Sequence, residues 1–205
     1  YKENLKKNIK VLNYKKVNSP TITKTRFIDK ETNNKIMGIY EINDNLIDQK
    51  LELKIINFLT KNLKNYDAVI VADYGHGLLT KKIRNLIIKK SRFLSVNAQL
   101  NSANYGFHTI SKYNKTNTVC MHEGELRHDL RMKNENIINV IKRLSSKIKS
   151  KNIFVTRGKK GAMVYSNKKF YNCPAFNTGF KDKVGAGDAF FAIISLCSES
   201  KLSNE

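Results

Sequence analysis

An α/β fold on a mainly parallel sheet is what this sequence predicts, and its apolar patterning carries the prediction. Short apolar runs recur at Asp67–Ala72, Phe93–Val96, Thr118–Met121 and Asn152–Thr156; continuous apolarity over so few residues suits strands covered on both faces. Helical spacing intervenes, through Leu51, Ile55, Phe58 and Leu59 within Leu46–Leu63 and through Ile137, Ile141, Leu144 and Ile148 within Asn136–Ile148. The first run empties into a glycine turn, Asp73-Tyr-Gly-His-Gly77, followed by Leu78-Leu79-Thr80 and a helix to about Lys90. Strand, turn and helix in that order make an α/β unit, whose ligand site lies at the carboxyl end of the strands. Asp73 is therefore placed for chemistry.

Composition bounds the rest. A chain of 205 residues with 40% hydrophobic content holds one domain with a real core. No apolar run approaches the roughly 18–20 residues of a membrane span, and no apolar segment follows the charged start to make a signal peptide, so a cytosolic protein without a membrane partner is expected. Cys120, Cys173 and Cys197 are odd in number and far apart, which speaks against a disulfide framework or a zinc site. His122-Glu123 lacks the second histidine of a zincin, since Leu126 stands at that spacing. The net charge of +21 is spread along the chain without an arginine-rich block or stacking aromatics. That distribution fits a solvated lysine surface rather than a nucleic-acid partner, while still gathering anionic ligands.

Taken in order, residues 1–19 are polar and lysine-rich, with Val11–Tyr14 as the only strand-like piece. Two alternating runs, Thr21–Ile28 and Lys35–Ile42, flank polar Asp29–Asn34 and predict a hairpin. Lys24 and Arg26 on it suit the charge protection of an exposed edge. Phe93–Val96 leads into Asn97-Ala-Gln-Leu-Asn-Ser-Ala-Asn104, whose side-chain amides suit hydroxyl recognition as well as ordinary turns. Thr118–Met121 ends at His122-Glu-Gly-Glu125, an acidic start to a helix. Asn152–Thr156 is followed by Arg157-Gly-Lys-Lys-Gly161 and by a second hairpin, Ala162–Tyr165 with Lys168–Tyr171.

The most informative stretch is Asp182-Lys-Val-Gly-Ala-Gly-Asp-Ala-Phe190. Gly185, Ala186 and Gly187 leave their N–H groups open to an anion, and the apolar run from Asp188 to Leu196 predicts a buried helix that begins at or just before Asp188. The positive end of that helix favours a phosphate, and Asp188 beside it can take a proton from a hydroxyl; the same residues also describe a glycine turn with a helix-capping Asp. A P-loop is excluded, because Gly158-Lys159 continues into Lys160 rather than Ser or Thr. The dinucleotide fingerprint fails too: Gly185-x-Gly187 and Gly75-x-Gly77 reach Phe190 and Thr80 where a third glycine is needed.

The Asp182–Phe190 segment resembles the C-terminal signature of the ribokinase-like (PfkB) carbohydrate kinases, in which the glycines form an anion hole and the last Asp is the catalytic base. Further segments follow the same family in the same order. Pro20–Phe27 resembles the lid of the heptose-phosphate kinases, Asp73–Gly77 their Asp-Tyr-Gly-Lys-Gly segment, His122–Glu125 the Asn-x-x-Glu motif, and Thr156–Gly161 the segment near the nucleotide. This sequence departs from the pattern at His76, often Lys; at Asn97–Gln99, where Asp-Pro-Lys is usual; at His122, usually Asn; and at Lys183, usually Thr.

The resemblance implies a three-layer α/β/α sandwich with a small β-hairpin lid, incomplete at both ends: 1–19 a remnant of a preceding element, 20–44 the lid, and 45–205 the kinase core. It implies ATP and Mg²⁺ and a sugar or sugar-phosphate substrate. By the same resemblance Asp188, Gly185, Ala186 and Gly187 are catalytic; Thr156, Gly158, Gly161, Asp182 and Lys183 lie by the nucleotide; Lys24, Arg26, Asp73, Gly75 and Asn97 by the sugar; and Glu125 organises the metal. A homodimer through the lid and a nucleotidyltransferase domain elsewhere in the full-length protein are further expectations. The alternative is a non-catalytic nucleotide- or polyanion-binding remnant of the kinase fold.

Overall fold

A computed structural model of the chain describes residues 9–32, 34–100, 107–176 and 185–202. Strands β1 (Thr23–Ile28) and β2 (Lys35–Glu41) pair antiparallel as a separate two-stranded sheet. Their register, with Lys24 opposite Tyr40 and Phe27 opposite Met37, puts Lys24, Arg26 and Tyr40 on one face and Thr25, Phe27, Met37 and Ile39 on the other.

Helix α1 (Gln49–Asn62) starts later than its apolar spacing, because the Asp48 carboxylate accepts the Leu51 N–H at 2.8 Å and fixes the first turn there. The chain continues as β3 (Val69–Asp73), α2 (Lys81–Lys90), β4 (Leu94–Ala98) and β5 (Lys115–His122). After these come α3 (Glu123–Leu130), α4 (Ile137–Lys147), β6 (Lys149–Thr156), β7 (Ala162–Ser166), β8 (Lys169–Cys173) and α5 (Ala186–Glu199). Strands β3 to β8 lie side by side in chain order; β3 to β6 are parallel, β7 pairs antiparallel with β6, and β8 antiparallel with β7.

Strand periodicity decides which residues meet which layer. Val119, Met121, Ile153, Val155 and Met163 face the large core, shared with Ile55 of α1, Ile83 and Ile87 of α2, Leu126 of α3 and Val140, Ile141 and Leu144 of α4. The residues between them, Cys120, Phe154 and Val164, point the opposite way onto Phe191 and Ile194 of α5. Burial among these apolar side chains pushes the Cys120 thiol up to about 12, which fits its reading as a packed thiol. The middle of the sheet is thus covered on both faces, as continuous apolar strands demand; β3, expected from its apolar run to be covered likewise, is buried on one face only, with Ile70 41% exposed on the other because α5 packs over β5 to β7.

Two further expectations need correction. Helix α5 is not buried all round: Phe191, Ile194 and Ser195 pack inward, whereas Ile193 and Leu196 are 63% and 57% exposed, because among the described residues nothing covers its outer side. Val11–Tyr14 forms no strand; it has no ladder partner among the described residues, and Tyr14 packs instead on the large core with the Lys54 ammonium 6.0 Å from its ring centroid. No helix among the described residues is long and apolar enough to cross a membrane.

Candidate active site

The carboxyl ends of the parallel strands and the N-terminus of α5 come together through the α5 layer. Ser195 donates to the Phe191 carbonyl at 2.6 Å, which leaves the buried Ser95 hydroxyl to donate to Ser195 at 2.6 Å and pins α5 to β4. Phe154 of β6 meets Phe190 of α5 edge-on, with ring centroids 6.3 Å apart. Two residues further along their strands, Asn97 and Thr156 share the α5 face with Ser95 and Phe154. Asn97 also donates its amide to the Cys120 carbonyl at 2.9 Å.

Helix α5 opens at Gly185, whose φ of 83° only glycine adopts readily, and among the described residues no side chain caps it. Among the described residues, nothing lies within 4 Å of the position a side chain would take at Gly185 or Gly187. An unobstructed, uncapped helix start holds N–H groups without intrahelical partners and a positive dipole, the elements of an anion site. Asp188 is exposed in this first turn. The Tyr74 hydroxyl stands 3.5 Å from its Oδ1, and the Lys24 ammonium lies 5.7 Å from the Tyr74 ring centroid. Segments distant in sequence therefore converge: the hairpin, the turn after β3 and the start of α5.

The hairpin face turned this way is strongly positive. Lys35 donates to the Tyr40 hydroxyl at 2.5 Å. That bond, and then the charges of Lys35, Arg26 and Lys24, draw the Tyr40 phenol below its usual range. The hairpin's exit is tied to the turn after β3, where His76 Nδ1 lies 2.7 Å from Asp44 Oδ1 and the Ile47 N–H reaches the Gly77 carbonyl at 3.2 Å. Gly77 is required here, since a Cβ would strike the Asn45 carbonyl and its φ is 81°.

Asp73 sits differently from its neighbours. With Val71 it faces the large core, is 5% exposed, and accepts the Tyr113 hydroxyl at 2.6 Å and the Gly75 N–H at 3.0 Å. His108 Nε2 lies 3.0 Å from the Asp73 carbonyl oxygen, and burial holds this imidazole below its ordinary range. Burial, together with the Asp73 charge, raises the Tyr113 phenol, so its hydroxyl stays a donor. In this geometry Asp73 and Gly75 shape the turn that carries Tyr74. Tyr113→Phe leaves a buried carboxylate oxygen without its partner and is expected to cost about 1–3 kcal/mol of stability, read as a lower urea midpoint at unchanged slope.

On the opposite flank, Thr156 ends β6 and Gly158 begins an exposed turn with nothing among the described residues within 4 Å of its would-be side chain. Gly161 answers to packing, because a Cβ there would collide with the Cys173 carbonyl. Arg157 and Arg127 both bond the Glu123 carboxylate, at 2.8 Å each. Burial pushes that carboxyl up, yet the two guanidiniums outweigh it and hold it low. Glu125 has both oxygens on backbone donors, Leu100 N at 3.0 Å and His122 N at 2.7 Å, the latter part of a capping box on α3. Among the described residues no group of His, Cys, Asp and Glu forms a metal cage. Asp182 and Lys183 lie outside the described residues.

Tyr74 and Tyr113 were missed from sequence. For Tyr74 a signal existed: it follows Asp73 at the end of a strand, so period-two alternation sends the two side chains to opposite faces. Nothing local marks Tyr113, whose pairing with Asp73 spans 40 positions.

A family model described as "pfkB family carbohydrate kinase" matches residues 1–197. Bifunctional protein HldE of Campylobacter jejuni (strain RM1221) is 27% identical over 158 residues, which are 76% of this chain and 32% of that protein. The protein of the same name from Aliarcobacter butzleri (strain RM4018) is 28% identical over 189 residues, 91% of this chain and 38% of that protein. The chain thus spans about a third of the length of these curated relatives. Among solved structures, Escherichia coli phosphofructokinase-2 in complex with potassium superposes with a TM-score of 0.65 at 11% identity, over 82% of this chain and 55% of that one. Arabidopsis thaliana ribokinase complexed with ribose and ATP gives 0.64 at 14% identity, over 91% and 59%. At such identities the likeness is one of fold, and that fold is ribokinase-like.

Proposed function

This chain belongs to the pfkB family of carbohydrate kinases, and from that premise we propose that it transfers the terminal phosphoryl group of ATP to a hydroxyl of a sugar phosphate of the heptose-phosphate kind. Asp188 takes the proton from the acceptor hydroxyl as the new O–P bond forms and the bond to ADP breaks. The N–H groups of Gly185, Ala186 and Gly187 face the negative oxygens of the migrating group. Magnesium, when bound, neutralises phosphate charge. Thr156 and Gly158 border the nucleotide, and Lys24 and Arg26 hold the sugar's own phosphate.

The observation that carries this reading is the convergence of Lys24 and Tyr74 on an exposed Asp188 at an unobstructed helix start. Electropositive Lys24, Arg26 and Lys35 on one hairpin face support a phosphorylated acceptor over a neutral sugar. On the opposite face Phe27, Met37 and Ile39 are 45%, 50% and 56% exposed, an apolar surface suited to a second copy of the lid. The relatives' description as bifunctional supports a further, nucleotidyltransferase domain elsewhere in the full-length protein. The test is a screen of that full-length protein with ATP, Mg²⁺ and matched panels of sugars and sugar phosphates. ADP release confined to phosphorylated acceptors is expected. Nucleotide binding with no acceptor consumed would favour a non-catalytic remnant instead.

A further inference from the structure

We propose that Tyr74 is a positioning residue that couples lid closure to the base, its hydroxyl holding one oxygen of Asp188 while its ring seats Lys24 of the lid. This rests on Asp188 acting as base. The distances set the roles. The hydroxyl is 3.5 Å from Asp188 Oδ1, at the outer limit of a hydrogen bond, and such contacts tighten when substrate fills the site. The Lys24 ammonium, 5.7 Å from the ring centroid, is within the roughly 6 Å over which a cation is drawn to an aromatic face.

Chemistry fixes the direction of the contact. Burial, and then the Asp188 charge, push the Tyr74 phenol above its usual range, so it remains a donor at neutral pH. Donation to one carboxylate oxygen sets the rotation of the group and leaves the other oxygen for the acceptor hydroxyl. The turn bearing Tyr74 is fastened to the hairpin's exit independently of Lys24, by His76 on Asp44 at 2.7 Å and Ile47 on Gly77 at 3.2 Å. Hairpin and turn accordingly move as one: an opening lid carries Tyr74 together with Lys24 away from α5 and releases the base from the phenol.

Ring and hydroxyl can be separated by mutation in the full-length protein. Tyr74→Phe keeps the ring and is expected to lower kcat about tenfold, the worth of one charge-assisted hydrogen bond, with KM for the sugar phosphate unchanged. Tyr74→Leu loses the same factor in kcat and raises KM several-fold. Lys24→Gln raises KM by a similar factor, and joining it to Tyr74→Leu adds nothing further to KM. Wild-type kcat in Tyr74→Phe, or additive KM effects in the double variant, would overturn the coupling. Asp188→Asn separates the two levels: if it is inert while Tyr74→Phe is unaffected, only the role of Tyr74 fails; if it still turns over, the base assignment falls and the coupling with it.

Discussion

Asp188→Asn is expected to lower kcat by about 10²–10⁴, the range over which a positioned base accelerates proton transfer, while nucleotide affinity stays within about twofold of the parent. Asn keeps the shape of the side chain and can still accept from Tyr74, so the first turn of α5 is unchanged. It cannot take a proton. The N–H groups of Gly185, Ala186 and Gly187 belong to the backbone and survive the substitution, which is why binding is expected to persist when the chemical step does not. Single-turnover rates with saturating ATP, alongside nucleotide titration by calorimetry, read the two quantities separately. A variant with parental kcat would remove Asp188 from the chemistry; one that also lost nucleotide would point to a structural role.

The largest stability effect is expected at Phe191. Helix α5 is held to its face of the sheet by a small cluster, Phe191 and Ile194 against Cys120, Phe154 and Val164, with the Ser95–Ser195 pair beside it. Phe191 is 3% exposed, and its replacement by Ala leaves a cavity that so small a cluster cannot close. About 3–5 kcal/mol should be lost, read from urea denaturation. Ile194→Val removes one methylene from the same cluster and should cost about 0.5–1.5 kcal/mol. Because α5 carries the helix start and Asp188, Phe191→Ala should depress turnover even at temperatures where the protein remains folded. Loss of stability below 1 kcal/mol would mean that α5 does not depend on this contact.

The parallel strands were legible because each is apolar on consecutive positions: Val119, Cys120 and Met121 must all be covered, and only a sheet between two layers covers them. The helix caps at Asp48, Thr80 and Asn136 were present in the letters, although apolar spacing alone started the first helix too early. The one-sided burial of α5 was not legible, since Asp188–Leu196 is apolar all round and periodicity then carries no direction. Among the proposed site residues, Asp188 and the glycines before it could be named from their motif. Asp73 could be placed at a strand end but not assigned a face, and its face brings it to Tyr113.

Sequence by itself determined the family, the order of strands and helices, and the short motif in which glycines precede an acidic residue, because each is written in neighbouring positions. Only the tertiary structure decided that Lys24, Tyr74 and Asp188 meet, across separations of 50 and 114 positions, and that Glu125 spends both oxygens on backbone donors. The reason is physical. Local patterns record what a residue needs from its own helix or strand, whereas contacts between segments depend on how completed elements pack, and that information is shared across the whole chain.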